Sequence, residues 1–366
     1  MSTKKDKFSI KDKIFMELAL KLAKARHGLT GINPSVGCVI VKNNEILSIG
    51  QTGFKGTPHA EFNAIKNSHE NLEGSKMYVT LEPCSHYGKT PPCTNIIIKN
   101  KIKEVVYGVE DIDKKVKGKT LKILKSKNVL VKKNLLKKEI NKFYTPYFFN
   151  RKKNLPYVTG KIAISRNNLI YSKDTKRISD IHTDKFTHYL RYKNDSLMIS
   201  SKTLNKDNPK LNCRLEGLNK FSPKRIILDK NLEIKKNSYI FKTANKKNTI
   251  IFYHNAKAEM KLMLKKRGIT LIKSKLDKDN FDIKSILMKL YVLGCRNLLV
   301  EGGNDLSKHI IKKKLFNEFY LYKCAKTLSK LVNHKEFSFL NELKKNYKNK
   351  LKIKKKLGKD VITLYK

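Results

Sequence analysis

The sequence predicts a two-domain α/β protein. Its 366 residues exceed what one hydrophobic core usually serves. Apolar runs with helical spacing alternate with short runs rich in β-branched residues, which is typical of helices layered on a sheet. Prolines and charges interrupt this alternation over residues 144–160. The boundary is therefore expected there, between an N-terminal domain of residues 1–148 and a C-terminal domain of residues 155–366.

The N-terminal domain is predicted to begin with a helix over residues 12–27, because apolar residues such as Phe15 and Leu22 share one face. The strand-like runs VGCVIV and EILSIG flank Asn43-Asn44, which predicts a hairpin turn. A helix is predicted from Pro58, since proline suits the first helical turn. The predicted strands KMYVTLEP, EVVYGVED and NVLVKK then alternate with the predicted helices TNIIIKNK and TLKILKSKN.

The C-terminal domain contains a second series of predicted strands: YVTGKIAIS, DSLMISS, KRIILD, NTIIFYH, ITLIKS, NLLVEGG and FYLYKCAK. Because helix-like segments separate these strands, a mainly parallel sheet is expected. The Lys-rich end of the chain still closes on the strand-like DVITLY.

Composition bounds the possible partners and the compartment. The formal net charge is +50, but only nine of the 81 basic residues are Arg, the side chain that recognises phosphates best. Abundant Lys, Asn and Ile with no Trp favour an AT-rich genome as the cause of this charge, and selected polyanion binding stays open as the alternative. The sequence has no run of 18 apolar residues and no apolar secretory segment, so a cytoplasmic protein without membrane partners is expected.

One cluster of residues indicates catalytic metal chemistry. His59-Ala60-Glu61 opens a predicted helix, Cys84 follows a predicted strand, and Cys93 comes after eight intervening residues. His59, Cys84 and Cys93 supply the three nitrogen and sulfur ligands of a catalytic Zn²⁺ site, which leaves a fourth position for water. Glu61 is then close enough to move a proton between that water and a leaving amine, which is the chemistry of hydrolytic deamination.

Two alternatives concern the cysteines. A structural zinc module would prefer four protein ligands and would have no use for Glu61. A disulfide framework is not expected in an unsecreted chain, and Cys38 is expected to be a buried core residue. The other cysteines have no neighbouring ligand types: Cys213, Cys295 and Cys324.

The spacing of the two ligand cysteines points to a particular branch of deaminases. Deaminases of nucleic acids and nucleosides generally carry PCxxC, whereas here SHYGKTPP separates the cysteines. The string LEPCSHYGKTPPC, with HAE and NPSVGCVIV upstream, resembles the bifunctional riboflavin-biosynthesis deaminase/reductase family over nearly the whole chain. The resemblance implies an N-terminal cytidine-deaminase-like zinc domain and a C-terminal dihydrofolate-reductase-like α/β domain.

The resemblance also implies substrates, cofactors and residue roles. The expected reaction is deamination of 2,5-diamino-6-(5-phosphoribosylamino)pyrimidin-4(3H)-one, followed by NADPH-dependent reduction of its ribosyl group to ribityl. The matching motifs are the opening strand with Lys161, the pair Arg191 and Asp195, the DNP run at Asp207, and the EGG run at Glu301. The implied cofactor-binding residues are Ala163, Arg177, Thr203, Asp207 and Gly303. The implied substrate-binding residues are Asn33, Lys89, Thr175, Arg191, Leu211, Arg214 and Glu301.

Several positions depart from the family pattern. Thr52 stands where many members have histidine, and the family's D-P-N-P becomes Asp-Ile-Asp-Lys at residues 111–114. In the second half S-x-D-G becomes Ser-Arg-Asn-Asn at residues 165–168, the expected tryptophan aligns with Arg177, and a proline and a glycine near Ala325 and Ser329 are missing. A deaminase with a degenerate reductase domain is therefore an alternative.

A nucleic-acid-directed deaminase or binding protein is the alternative from another class. The charge favours it, while the cysteine spacing and the DNP and EGG runs oppose it. The resemblance implies a small phosphoribosyl pyrimidine as the partner, with no specific nucleic acid, and a homo-oligomeric assembly.

Overall fold

The computed structural model describes residues 8–88, 90–113, 116–173, 175, 177–353 and 358–366. It divides into two compact units, Met1–Lys153 and Asn154–Lys366. Each unit has its own sheet and its own hydrophobic core.

The first unit is a five-stranded sheet with helices on it. Its elements are α1 (Ile10–Arg26), β1 (Gly37–Lys42), β2 (Glu45–Gln51), α2 (Ala60–Lys66), β3 (Lys76–Leu81), α3 (Cys93–Lys99), β4 (Glu104–Val109), α4 (Lys119–Lys125), β5 (Leu130–Lys133) and α5 (Lys137–Lys153). The strand order is β2-β1-β3-β4-β5, with β1 antiparallel to both neighbours and β3, β4 and β5 mutually parallel. The carboxyl ends of β3 and β4 therefore lie side by side.

Local sequence accounts for the ends of these elements. Ser9 caps α1, because its hydroxyl accepts the backbone N–H of Asp12 at 3.0 Å while the Asp12 carboxylate accepts the N–H of Ser9 at 2.8 Å. Asn43 and Asn44 adopt φ angles of 51° and 67°, as a two-residue hairpin loop requires. These elements confirm the predicted helix and hairpin.

The helical pattern extends further into the predicted boundary segment, residues 144–160, than its prolines and charges indicate. Helix α5 continues through Pro146 to Lys153, although proline inside a helix costs roughly 3 kcal/mol. Packing offsets this cost: the ring of Tyr144 is buried, and its hydroxyl donates to the Ser35 carbonyl at 2.9 Å. The helix ends before Asn154, which has a left-handed φ of 54°.

The second unit has a nine-stranded main sheet. Its elements are β6 (Tyr157–Ile164), β7 (Leu169–Ser172), α6 (Ile181–Lys193), β8 (Ser196–Ser200), α7 (Ser201–Asp207), β9 (Lys224–Leu228), α8 (Tyr239–Thr243), β10 (Thr249–Tyr253), α9 (Ala258–Lys266), β11 (Thr270–Lys273), β12 (Leu276–Asp277), β13 (Asn280–Phe281), α10 (Ile283–Val292), β14 (Asn297–Val300), α11 (Asn304–Lys312), β15 (Glu318–Lys323), β16 (His334–Glu336), α12 (Leu340–Asn346), β17 (Lys350–Lys352) and β18 (Val361–Tyr365).

The predicted parallel sheet is confirmed. The strand order is β11-β10-β9-β8-β14-β6-β15-β18-β17, parallel from β11 to β15 and antiparallel at β18 and β17. Strands β6, β14 and β8 are central neighbours, and their carboxyl ends meet at one edge. That edge is where open α/β sheets bind ligands.

Candidate active sites

The three predicted zinc ligands lie at the ends of three elements of the first unit. His59 directly precedes α2, Cys84 follows β3, and Cys93 is the first residue of α3. The helix N-termini and the strand end bring together side chains that lie 25 and 34 residues apart in the chain.

The geometry of these side chains fits a tetrahedral zinc ion. The His59 Nδ1 atom lies 3.5 Å from the Cys84 Sγ and 3.4 Å from the Cys93 Sγ. Zn–S and Zn–N bonds of about 2.3 and 2.0 Å at a tetrahedral angle place nitrogen and sulfur about 3.5 Å apart. Among the described residues, no fourth His, Cys, Asp or Glu joins this group. One imidazole and two sulfurs are the donor set of a catalytic zinc site.

Electrostatics favour the ligand form of Cys84. The hydrogen bond with the Cys93 side chain lowers the pKa of the Cys84 thiol, and the contact with His59 lowers it further. The backbone N–H of Cys93 also donates to the Cys84 Sγ at 3.2 Å. The hydrogen bond with Cys84 and burial raise the pKa of the Cys93 thiol, so the pair favours one thiolate, on Cys84, and Cys93 must lose its proton to bind a metal.

Glu61 lies beside the ligands and is 4% exposed, in the first turn of α2. Burial raises the pKa of its carboxyl to about 7, although His59 opposes this shift. A carboxyl that gains and loses its proton near neutral pH suits general acid–base catalysis.

Cys38 is a fully buried residue of β1, as expected.

Glu82 is a functional candidate that the sequence reasoning missed. Its buried carboxylate accepts the backbone N–H of Asp111 at 3.2 Å and that of Gly118 at 3.0 Å. The hydroxyl of Thr120 donates to the carbonyl of Pro83 at 2.6 Å. The strand end that carries Cys84 is thus tied to the segment after β4. The only available signal was a carboxylate directly before Pro-Cys.

The segment around Asn33 is organised by backbone contacts. The Asn33 amide donates to the carbonyl of Gly56 at 3.0 Å, and an added Cβ at Gly56, where φ is +97°, would lie 2.8 Å from the Asn33 Cβ. The Thr52 hydroxyl accepts from the Val36 N–H at 2.9 Å and donates to the Pro34 carbonyl at 3.2 Å. Thr52 therefore holds the segment after Asn33, and Gly56 allows the close approach. Lys89 lies outside the described residues.

The loop between the two cysteines contains unsatisfied polar atoms. The Nδ1 of His86 and the Oγ of Ser85 are buried without a hydrogen-bond partner in the described part of the chain. Buried polar atoms of native proteins are normally hydrogen-bonded, so these two atoms make this loop a candidate for ligand contact.

In the second unit a cavity of about 660 Å³ opens at the carboxyl ends of β6, β8, β9 and β14. This volume lies in the range of small-molecule and cofactor sites. Six predicted residues line it together: Ala163, Thr175, Thr203, Asp207, Glu301 and Gly303. We call this cavity the C-terminal cleft.

The EGG run connects β14 to α11 at the floor of this cleft. Gly303 is the residue before α11, and a Cβ added to it would lie 3.4 Å from the Thr203 Oγ1. The first N–H groups of α11 therefore start beside two cleft-lining residues. Such an N-terminus suits the phosphates of a dinucleotide, so the residues fit the expected NADPH.

Arg191 and Glu301 form a two-pronged ion pair at the cleft. The Arg191 Nε and Nη2 atoms donate to the two Glu301 oxygens at 2.6 and 2.8 Å. Burial would raise the pKa of Glu301, but the charge and hydrogen bonds of Arg191 outweigh it and lower that pKa. Arg191 Nη1 donates to the Asn212 carbonyl at 3.0 Å, so each guanidinium nitrogen already has a protein partner. Glu301 is consequently held ionised.

Four predicted residues lie outside the lining of this cleft. Arg191 reaches it through Glu301. Leu211 is buried, with a left-handed φ of 53°, and Arg214 is exposed. Arg177 is also exposed, pairs with Asp184, and donates through Nε to the Ser179 carbonyl at 3.2 Å. The stacking of Arg177 on a cofactor ring stays a prediction.

The degenerate Ser-Arg-Asn-Asn turn still has a well-formed structure. Asn168 takes a left-handed φ of 64° where the family has glycine, a conformation that asparagine tolerates better than most residues. The Asn167 side chain donates to the Leu328 carbonyl at 2.8 Å and accepts the N–H of Leu328 at 3.1 Å. Asn167 therefore holds the segment that lacks the expected proline and glycine.

Within the described residues, no helix is both long and apolar enough to cross a membrane.

Comparison with known proteins covers both units. Residues 156–362 match the RibD C-terminal domain, and residues 9–109 match the cytidine and deoxycytidylate deaminase zinc-binding region. The riboflavin biosynthesis protein RibD of Aquifex aeolicus is 32% identical over 97% of this chain and 98% of its own length.

Two solved structures are similar over nearly the whole chain. Acinetobacter baumannii RibD has a TM-score of 0.83 at 25% identity, covering 97% of this chain and 98% of that one. The diaminohydroxyphosphoribosylaminopyrimidine deaminase/5-amino-6-(5-phosphoribosylamino)uracil reductase of Thermotoga maritima has a TM-score of 0.79 at 27% identity, with the same two coverages.

Proposed function

This chain belongs to the RibD family, and from that premise we propose which of its residues carry out the two reactions and on which substrate. It is a bifunctional deaminase and reductase of riboflavin biosynthesis, with zinc in the deaminase half and NADPH as the reductant. The proposed order is deamination of 2,5-diamino-6-(5-phosphoribosylamino)pyrimidin-4(3H)-one, followed by reduction of the ribosyl group.

The convergence of His59, Cys84 and Cys93 beside the buried Glu61 carries the deaminase assignment. Hydrolytic deamination replaces a C–N bond by a C–O bond: water adds to the ring carbon and ammonia leaves. His59, Cys84 and Cys93 would hold the zinc ion, which would supply the Lewis acidity that makes water nucleophilic near neutral pH. Glu61 accepts the proton that the water gives up and passes it to the leaving amine.

Substrate contacts are assigned to the loops around the zinc ligands. Asn33 is held beside the segment that leads into His59, so its remaining amide oxygen is available to the pyrimidine. The Nδ1 of His86 has no hydrogen-bond partner among the described residues, which supports a ligand contact by the loop between the cysteines. Lys89 is assigned to the substrate phosphate on the sequence alone.

The C-terminal cleft is assigned to the reduction. Ala163, Thr203, Asp207 and Gly303 line the space proposed for NADPH, and the N–H groups at the N-terminus of α11 would suit its pyrophosphate. NADPH supplies the hydride, and the protein supplies binding and orientation. Glu301, ionised by Arg191, accepts hydrogen bonds from ribose hydroxyls, and Thr175, Leu211 and Arg214 complete the substrate side.

Three expectations stay predictions: homo-oligomer formation, a cytoplasmic location and the lack of a specific nucleic-acid partner. The well-formed turn at Asn168 and the paired Arg191 and Glu301 favour an active reductase half over a degenerate one.

The experiment is mass spectrometry of the purified zinc-loaded protein acting on the diaminopyrimidinone substrate, with and without NADPH. A ribityl product that forms only with NADPH is expected. Deaminated product alone in both samples would assign the degenerate alternative, and no conversion by zinc-loaded protein would overturn the proposal.

A further inference from the structure

A buried histidine connects the two elements that carry Arg191 and Arg214. His188 lies on α6, three residues before Arg191, and is 8% exposed. Its Nδ1 lies 3.1 Å from the Asn212 carbonyl oxygen and 3.3 Å from the backbone nitrogen of Arg214. In either tautomer the imidazole therefore bonds to the segment 212–214.

Asn212 is the point where both arginines meet. Arg191 Nη1 donates to its carbonyl oxygen at 3.0 Å, and Arg214 Nη1 donates to its side-chain oxygen at 2.9 Å. The Cys213 thiol also lies 3.5 Å from the carbonyl oxygen of His188. The two guanidinium groups are thus placed relative to each other by this segment and its contacts with α6.

The segment needs such contacts to keep its shape. Leu211, directly before it, has a left-handed φ of 53°, a conformation that is strained for a residue with a Cβ. Strained backbone persists only where its surroundings fix it. His188 is one of the groups that do so here.

The charge of the imidazole suits this role. Burial lowers the pKa of His188 to about 4, and the positive charges of Arg191 and Arg214 add to that effect, while the Asn212 carbonyl and Glu301 oppose it. A neutral imidazole adds no third positive charge, and its Nδ1 lone pair can accept the N–H of Arg214.

We propose that His188 is a positioning residue for anion recognition in the reductase half. By holding the backbone of residues 212–214 against α6, it fixes the guanidinium of Arg214 on the same residue that Arg191 contacts, where a sugar phosphate is bound. This proposal rests on the proposed function, which assigns Arg214 to the reductase substrate and Arg191 to the ion pair with Glu301.

Four variants test the proposal: His188→Leu, His188→Asn, His188→Gln and Arg214→Ala. Leucine fills the space without a polar atom, asparagine places an amide near the position of Nδ1, and glutamine places it farther out. The affinity for ribose 5-phosphate is measured by titration calorimetry, and the affinity for NADPH by the fluorescence of the nucleotide.

His188→Leu is expected to weaken ribose 5-phosphate binding about tenfold, the effect of a lost hydrogen bond near charged groups, with NADPH affinity within about twofold of wild type. His188→Asn is expected to retain wild-type affinity for ribose 5-phosphate within about twofold, and His188→Gln is expected to bind it as weakly as His188→Leu. If His188→Leu also loses NADPH binding, its effect is not specific to the anion site. The comparison of ribose 5-phosphate affinity between His188→Asn and His188→Gln then tests the role of His188.

Equal ribose 5-phosphate affinity of the leucine variant and wild type, or of the asparagine and glutamine variants, would overturn the role of His188. If either outcome is accompanied by weak ribose 5-phosphate binding by Arg214→Ala, the proposed function stays intact. Unchanged binding by Arg214→Ala would instead contradict the assignment of Arg214 to the substrate and, with it, this proposal.

Discussion

The two halves of the molecule build their sites by different means. The zinc site takes its three ligands and Glu61 from residues 59–93, where two helix N-termini and one strand end meet. The C-terminal cleft instead collects residues from Ala163 to Gly303 at the ends of separate parallel strands. The comparison teaches that the first site depends on a few atoms at fixed distances, whereas the second depends on the register of a whole sheet.

Glu61→Gln is expected to produce the largest difference in activity between the deaminase half and the reductase half. The amide keeps the size of the side chain but cannot carry a proton, so the rate of ammonia release should fall by about 10²- to 10⁴-fold. Reduction of the deaminated intermediate, followed as NADPH absorbance, should be unchanged. A deamination rate within tenfold of wild type would remove Glu61 from the mechanism.

Removal of zinc should separate the halves in stability as well as in rate. A chelator is expected to abolish ammonia release and to lower the melting temperature of the first unit alone, because metal binding by preformed ligands stabilises the folded state. Calorimetry with and without chelator measures both transitions, and Cys213→Ser serves as a control cysteine away from the site. If chelation left the first transition unmoved, the three-residue site would not hold the metal.

The second half should be most sensitive at the Arg191–Glu301 pair. Arg191→Met leaves a buried carboxylate without its partner, which typically costs about 3–5 kcal/mol. We expect loss of NADPH oxidation with ammonia release intact, and the matched variant Arg214→Met on exposed Arg214 should fold normally. NADPH oxidation by Arg191→Met at the wild-type rate would show that Glu301 does not depend on Arg191 for its position in the cleft.

The smallest effect is expected at the Asn168 turn. Because Asn168 has a left-handed φ, Asn168→Gly should keep or slightly raise the unfolding free energy of the second unit, and Asn168→Ala should lower it by about 1 kcal/mol. Urea unfolding of the two variants measures the difference. Equal midpoints would mean that this turn does not constrain the cleft.

Sequence reasoning predicted the two sites to different extents. The zinc ligands and Glu61 could be predicted because their spacing is local, and the strands because their apolar runs are short and regular. The helix through Pro146 could not, since its packing depends on partners such as Ser35 that lie far away in the chain. His188 and Glu82 were missed because their roles consist of contacts with backbone atoms, which leave no pattern in the sequence.

Glu82 shows how contacts with backbone atoms allow the sequence of the segment after β4 to change. It binds the N–H groups of Asp111 and Gly118, and an N–H group is present whatever side chain the residue carries. The intervening residues can therefore change freely as long as the chain keeps its length and avoids proline at the two donor positions. The replacement of D-P-N-P by Asp-Ile-Asp-Lys is such a change, so this segment can drift in sequence while the strand end carrying Cys84 stays in place.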